Sequence, residues 1–245
     1  MTTADSPTIT PTEIEIPSFG TAGLRGWLAV PAGNGPHPAV VVVHELFGVD
    51  DIMKRQLTRL AEAGFVALMP DLFTAGGPRK CLVSTFRALR SGHGRAYADL
   101  EAARSLLAES PESNGKVGVT GFCMGGAFAL MTATRGFEVA SANYGALPKD
   151  PVHALAGACP VIASYGAKDK GLGPKAARKL ETALEEAHVE HRVDVYPSAG
   201  HSFLNDAPFT GPLSGVTRVL GIGPDPAAAA EAWERIDAFL HEHLD

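Results

Sequence analysis

Val117-Gly118-Val119-Thr120-Gly121-Phe122-Cys123-Met124-Gly125-Gly126 is the stretch on which the reading of this chain turns. Val117–Thr120 has the character of a short buried strand. A glycine-bracketed turn follows, then a helical stretch over Met124–Ala133. Strand, G-x-C-x-G and helix in that order form a nucleophile elbow with cysteine in the usual serine position. The spacing has a physical reason. The strand must reverse abruptly into a helix while holding one side chain out over the sheet edge. Glycines two residues to either side let neighbouring backbone pass close by. The helix N-terminus presents a positive dipole end, which favours a thiolate. Three cysteines and 27 glycines in 245 residues give roughly 0.04 chance matches to this pattern, so the match carries information.

Outward from the elbow, strand and helix alternate. Toward the N-terminus, Ala39–Val43 is a continuous apolar run, as expected of a central parallel strand covered on both faces. A helical period over Asp50–Ala63 ends at Gly64, and Phe65–Met69 is a second buried strand. Glu13–Ile16 and Leu24–Val30 alternate and read as two antiparallel strands. Arg95–Ala108 reads as a helix. Toward the C-terminus, Val139–Tyr144, Val161–Tyr165 and His191–Tyr196 read as strands, with helices at Pro174–Ala187 and Pro226–Leu244. This alternation predicts an α/β fold with a mostly parallel central sheet flanked by helices. A loose N-terminal segment, Met1–Thr12, precedes a single domain from Glu13 to Asp245. Two segments depart from the alternation: Thr74–Gly94, with four glycines and an apolar-periodic middle at Leu82–Leu89, and Asn205–Pro226. Both read as irregular loops that could serve as lids, pocket walls or plain solvated surface.

Composition narrows the function classes. The chain is 45% apolar and 20% charged, values of a globular protein. Its net charge of −6 argues against nucleic acid as a partner. No apolar run approaches the ~18 residues of a membrane span, and the N-terminus lacks a basic, then apolar, signal. Cys81, Cys123 and Cys159 are an odd number, which does not suggest a disulfide framework. A cytoplasmic location, where thiols stay reduced, is the expectation. Metal-ligand spacings such as C-x-x-C or H-E-x-x-H are absent. No metal and no cofactor are expected.

An elbow thiol needs a base and a group to orient it, and in chain order these follow as acid and then histidine. Val161–Tyr165 is followed by Gly166-Ala167-Lys168-Asp169, and His191–Tyr196 by Pro197-Ser198-Ala199-Gly200-His201. Asp169 and His201 are therefore the candidates. His201 would accept the thiol proton, Cys123 would attack a carbonyl, and Asp169 would fix the histidine tautomer. The backbone N–H of Met124 and one from the loop His44-Glu45-Leu46-Phe47-Gly48 would hold the oxyanion.

At these residues the chain resembles the dienelactone hydrolase family. The motifs are H-E-L-F-G at His44–Gly48, P-D-L-F at Pro70–Phe73, S-N-G-K-V-G-V-T-G-F-C-M-G-G at Ser113–Gly126 and A-G-H-S-F at Ala199–Phe203. The resemblance implies an α/β-hydrolase fold and a Cys-His-Asp triad, which falls on Cys123, His201 and Asp169. It adds Glu45, which in the family interacts with the thiol and helps to generate the thiolate when substrate arrives. It implies that Leu46 and Met124 supply the oxyanion N–H groups. His44 stands where glutamine is expected and receives no role. The family holds a substrate carboxylate with arginines, one of them four residues after the histidine, where this chain has Asn205. The other comes from a segment that here contains Arg79, Arg87, Arg90 and Arg95. A neutral asparagine contact is weaker than a charge-assisted one. The expected substrate is therefore not dienelactone but a related small ester or lactone with a smaller or less acidic group. Asn205, Phe47 and Tyr144 are the candidate substrate contacts, and a monomer or homodimer is expected. The alternative is a non-catalytic ligand-binding or sensing protein on the same scaffold. Its sign would be a broken triad, and here all three members are present.

Overall fold

The valine run over residues 40–43 becomes the middle of the molecule, because its side chains feed two cores at once. Val41 and Val43 join the apolar cluster on one face of the sheet, Val40 and Val42 the cluster on the other. Alternation of side chains along a strand forces this split, so both faces must be covered. The computed structural model describes residues 9–208 and 222–245. In it the run lies in β3 (His37–Val43). Strand β5 (Ser113–Phe122) pairs with it in parallel on one side and β4 (Val66–Pro70) on the other. Strands β6 (Ala140–Asn143), β7 (Val161–Gly166) and β8 (His191–Tyr196) continue in parallel beyond β5. Strands β1 (Thr12–Ile16) and β2 (Leu24–Ala29) add an antiparallel edge next to β4. The eight strands run in the order β1-β2-β4-β3-β5-β6-β7-β8.

Seven helices lie among the described residues: α1 (Asp51–Glu62), α2 (Pro78–Ser91), α3 (Arg95–Ala108), α4 (Met124–Thr132), α5 (Pro151–Leu155), α6 (Pro174–Glu186) and α7 (Pro226–Leu244). Met53, Leu57 and Leu60 of α1 join Trp233, Ile236 and Leu240 of α7 in one core. Leu100 of α3, Phe128 of α4 and Leu180 of α6 belong to the other. Asp50 starts α1 by accepting the Met53 N–H at 2.9 Å, and Asp225 caps α7 through the Ala228 N–H at 3.2 Å. No described helix is long and apolar enough to cross a membrane.

The segment Thr74–Gly94 is not an irregular loop. It holds α2, with Cys81, Thr85 and Ala88 buried along one side. Its glycines punctuate rather than dissolve the helix: Gly77 precedes Pro78, and Gly92 closes the C-terminus at φ 73°. Of the N-terminal segment expected to be loose, residues 1–8 lie outside the described residues. Thr12 already begins β1, and the Ile9 carbonyl accepts from Thr58 Oγ1 at 3.3 Å. Most of the second expected loop, residues 209–221, also lies outside the described residues. Its described ends are tied down: the Gly223 N–H donates to the His201 carbonyl at 2.9 Å and the Asp225 N–H to that of Phe203 at 3.1 Å.

Candidate active site

The elbow owes its shape to three residues. Cys123 sits between β5 and α4 at φ 54°, ψ −111°. Such a conformation costs a non-glycine residue about 1–3 kcal/mol and persists only where its surroundings enforce it. The surroundings are tight. A Cβ at Gly121 would come within 2.0 Å of the Gly125 carbonyl oxygen, and one at Gly125 within 2.0 Å of that of Val43. No side chain fits at either position, which is the physical content of the G-x-C-x-G spacing. The Cys123 N–H donates to the Asn143 carbonyl at 3.0 Å, fastening the turn to β6.

Asp169 and His201 come from the loops after β7 and β8. These loops meet because Gly166 has no side chain: a Cβ there would lie 2.4 Å from the Gly200 oxygen. The Lys168 N–H donates to the Ala199 carbonyl at 2.8 Å, fixing one loop on the other. His201 Nδ1 lies 2.6 Å from Asp169 Oδ2. Asp169 Oδ1 accepts from the Gly171 and Leu172 N–H groups at 2.8 and 3.0 Å. Burial works to raise the pKa of Asp169, but His201 and these two N–H groups outweigh it and hold the carboxyl below its ordinary range. With Nδ1 donating to the carboxylate, Nε2 is left for the Cys123 thiol, whose interaction with the ring favours the imidazolium. Burial opposes the charged imidazole. The Asp169 and Cys123 interactions win and raise the pKa of His201 to about 10.

Glu45 lies just past β3, only 8% exposed. Ser202 Oγ donates to its Oε1 at 3.0 Å and Asn205 Nδ2 to its Oε2 at 3.3 Å. No arginine or lysine pairs with it among the described residues. Burial therefore raises its pKa, with His201 and the two neutral donors offsetting only part of the effect. A carboxyl whose folded pKa is raised stabilises the fold when protonated and loses that contribution as pH rises through the folded value. Glu45→Gln is expected to raise the thermal midpoint at pH 7 by about 2–4 °C, equivalent to about 1 kcal/mol in a chain of this size. The gain should close at acid pH, where Glu45 is itself neutral. Thermal unfolding at the two pH values checks this.

The remaining candidates divide. Tyr144, expected to touch substrate, is fully buried beneath the site, at φ 42°, with its ring 5.1 Å edge-on from that of His201. Its hydroxyl has no hydrogen-bond partner among the described residues. Burial first, then Glu45 and Cys123, push its pKa well up. Asn205 turns its amide nitrogen to Glu45, and its buried Oδ1 has no partner among the described residues. Phe47 is 38% exposed beside Leu46. Arg79, Arg87 and Arg90 are exposed along α2, and Arg95 begins α3. Arg87 and Arg95 line a cavity of about 450 Å³ between these helices, which shares no residue with the thiol site. Sequence reading missed Ser202 as a partner of Glu45. Its place directly after His201 was the available signal.

An elbow cysteine, an acid and a histidine after the parallel strands β5, β7 and β8 form the arrangement of a hydrolase of the α/β-hydrolase fold. The chain belongs to the dienelactone hydrolase family, whose model matches residues 24–244. It is 31% identical over 201 residues to the carboxymethylenebutenolidase of Pseudomonas putida, covering 78% of this chain and 84% of that one. Among solved structures, a dienelactone hydrolase-like promiscuous phosphotriesterase from metagenomic libraries superposes with TM-score 0.76 at 25% identity, covering 96% of this chain and all (100%) of that one. The dienelactone hydrolase of Anabaena variabilis shares the fold, with TM-score 0.73 at 21% identity over 97% of this chain and 100% of that one.

Proposed function

We propose that this ester or lactone hydrolase works through Cys123 as nucleophile, His201 as base, Asp169 as orienter and Glu45 as an aid to thiolate formation. The observation that carries the reading is the His201 imidazole bonded at 2.6 Å to the Asp169 carboxylate, with Cys123 at the elbow among the groups that raise its pKa. His201 Nε2 takes the thiol proton. Sulfur bonds to the substrate carbonyl carbon, and the C=O electron pair moves onto oxygen, held by the N–H groups of Leu46 and Met124. Collapse of this intermediate breaks the C–O bond, and the leaving alkoxide takes the proton from His201. Water then attacks the thioester, giving its proton to His201. The acid departs, and the thiol is restored.

The proposed substrate is an uncharged small ester or lactone. Glu45 puts a buried carboxylate against Ser202, the residue next to His201, and Asn205 spends its donor on that carboxylate. A second carboxylate on the substrate would meet repulsion rather than a guanidinium clamp. An uncharged lactone should therefore exceed its carboxylated analogue in kcat/KM by at least about tenfold, about 1.4 kcal/mol. An activated aryl ester should give turnover that prior alkylation with iodoacetamide abolishes. Preference for the carboxylated lactone would overturn the substrate reading, and full turnover after stoichiometric alkylation would overturn the thiol.

A further inference from the structure

His44 is fully buried, and its two ring nitrogens have different partners. Nε2 lies 3.2 Å from the Leu72 backbone nitrogen and Nδ1 2.7 Å from the Glu45 carbonyl oxygen. A backbone N–H only donates, so Nε2 must accept. The proton then sits on Nδ1 and is donated to the Glu45 carbonyl. Both neighbours demand the same neutral tautomer, and burial, which lowers the pKa of this imidazole, keeps it neutral. The ring also packs against Phe73, with centroids 4.8 Å apart.

The Glu45 carbonyl and the Leu46 N–H belong to the same peptide unit. That unit is planar and trans, so the N–H points opposite to the carbonyl. The carbonyl is gripped twice, by His44 Nδ1 and by the Gly48 N–H at 3.1 Å. With the oxygen held on both lone pairs, the plane cannot rotate, and the direction of the Leu46 N–H is set. That N–H has no partner of its own among the described residues. A hydrogen bond to the carbonyl also polarises the amide and strengthens its N–H as a donor.

We propose that His44 is a positioning residue for the oxyanion hole: it locks the Glu45–Leu46 peptide plane so that the Leu46 N–H aims at the developing oxyanion. This rests on the role given above to Leu46. It goes beyond that role by placing control of the donor in a side chain that touches neither substrate nor thiol. Through Leu72 it also ties the donor to the segment leading into α2.

The test separates oxyanion binding from thiol reactivity and needs no turnover. A trifluoromethyl ketone adds reversibly to the thiol. A C–S bond forms, the carbonyl electron pair becomes an oxyanion, and the thiol proton passes to His201. Iodoacetamide reacts at a saturated carbon, forming C–S and releasing iodide, with no oxyanion. One oxyanion donor is worth about 10²–10³, so a misaimed one should cost less. His44→Leu should weaken the ketone adduct, read by fluorine NMR, by about 10–100-fold. Its iodoacetamide labelling rate should stay within about twofold, since no oxyanion forms there. His44→Asn, whose amide nitrogen can stand where Nδ1 stood, should recover most of the affinity. His44→Gln, whose amide reaches the Nε2 position instead, should not. If His44→Leu does not fold, the contrast between Asn and Gln decides. Equal adduct affinity in Asn and Gln, a parallel loss of ketone and iodoacetamide reactivity, or no ketone adduct in the parent protein would overturn the proposal. Absence of ester turnover with a normal ketone response would count against the hydrolysis reading instead.

Discussion

Cys123→Ala is expected to lower kcat/KM for an activated aryl ester by at least about 10⁴-fold, the equivalent of about 5.4 kcal/mol of transition-state stabilisation. The fold should survive. Alanine removes one sulfur at a partly buried position, and the strained elbow backbone is enforced by Gly121, Gly125 and the bond to Asn143 rather than by the thiol. The residual rate comes from binding and the oxyanion donors, which do not need the nucleophile. Far-UV circular dichroism of the variant beside its turnover checks both halves. A folded variant with turnover within about tenfold of the parent's, a barrier change of only ~1.4 kcal/mol, would remove Cys123 from the chemistry.

Asp169→Asn should lower kcat by about 10³–10⁴-fold through the histidine rather than through the thiol. An asparagine amide can donate to His201 Nδ1, which moves the imidazole proton to Nε2. That nitrogen then faces Cys123 with a proton already on it and cannot take another. The pH profile should move as well. Asp169 favours the imidazolium and helps to hold the pKa of His201 at about 10. Losing the charge lowers that pKa, so the limb of kcat/KM that His201 sets shifts to lower pH, by about 1–3 units. Stability follows the same sign. The raised His201 contributes fully below about pH 6.5, and the lowered Asp169 fully above about pH 4. The stability deficit of the variant should therefore be widest between those values. It should narrow as pH rises toward about 10, where His201 loses its proton. A pH series of activity and of thermal midpoints reads both effects.

What could be read in advance divides along physical lines. The glycines flanking Cys123 are legible because they answer a local constraint: backbone passes where a side chain would stand. Asp169 and His201 are legible because a parallel sheet brings consecutive strand ends to one edge, so chain order becomes spatial order. The valines of β3 announce a strand covered on both faces. Helix α2 hid behind its glycines, which serve as its ends and look like loop composition in a linear reading. The partners of Glu45 and His44 were harder. Ser202 and Asn205 reach Glu45 across a separation of about 160 residues, and Leu72 reaches His44 across 28. Local spacing carries no information about such pairs. The direction Asn205 faces is of the same kind. The resemblance implies an arginine at its position, but its amide serves Glu45.

The proposed intermediate is a covalent thioester on Cys123. The most direct measurement is mass spectrometry of the protein quenched in acid during turnover of a slowly deacylated aryl ester, followed by peptide mapping. One acyl mass per chain, on the peptide containing Cys123 and released by hydroxylamine, is the predicted result. Steady turnover with no acyl mass on Cys123, or with the acyl group on another residue, would contradict it.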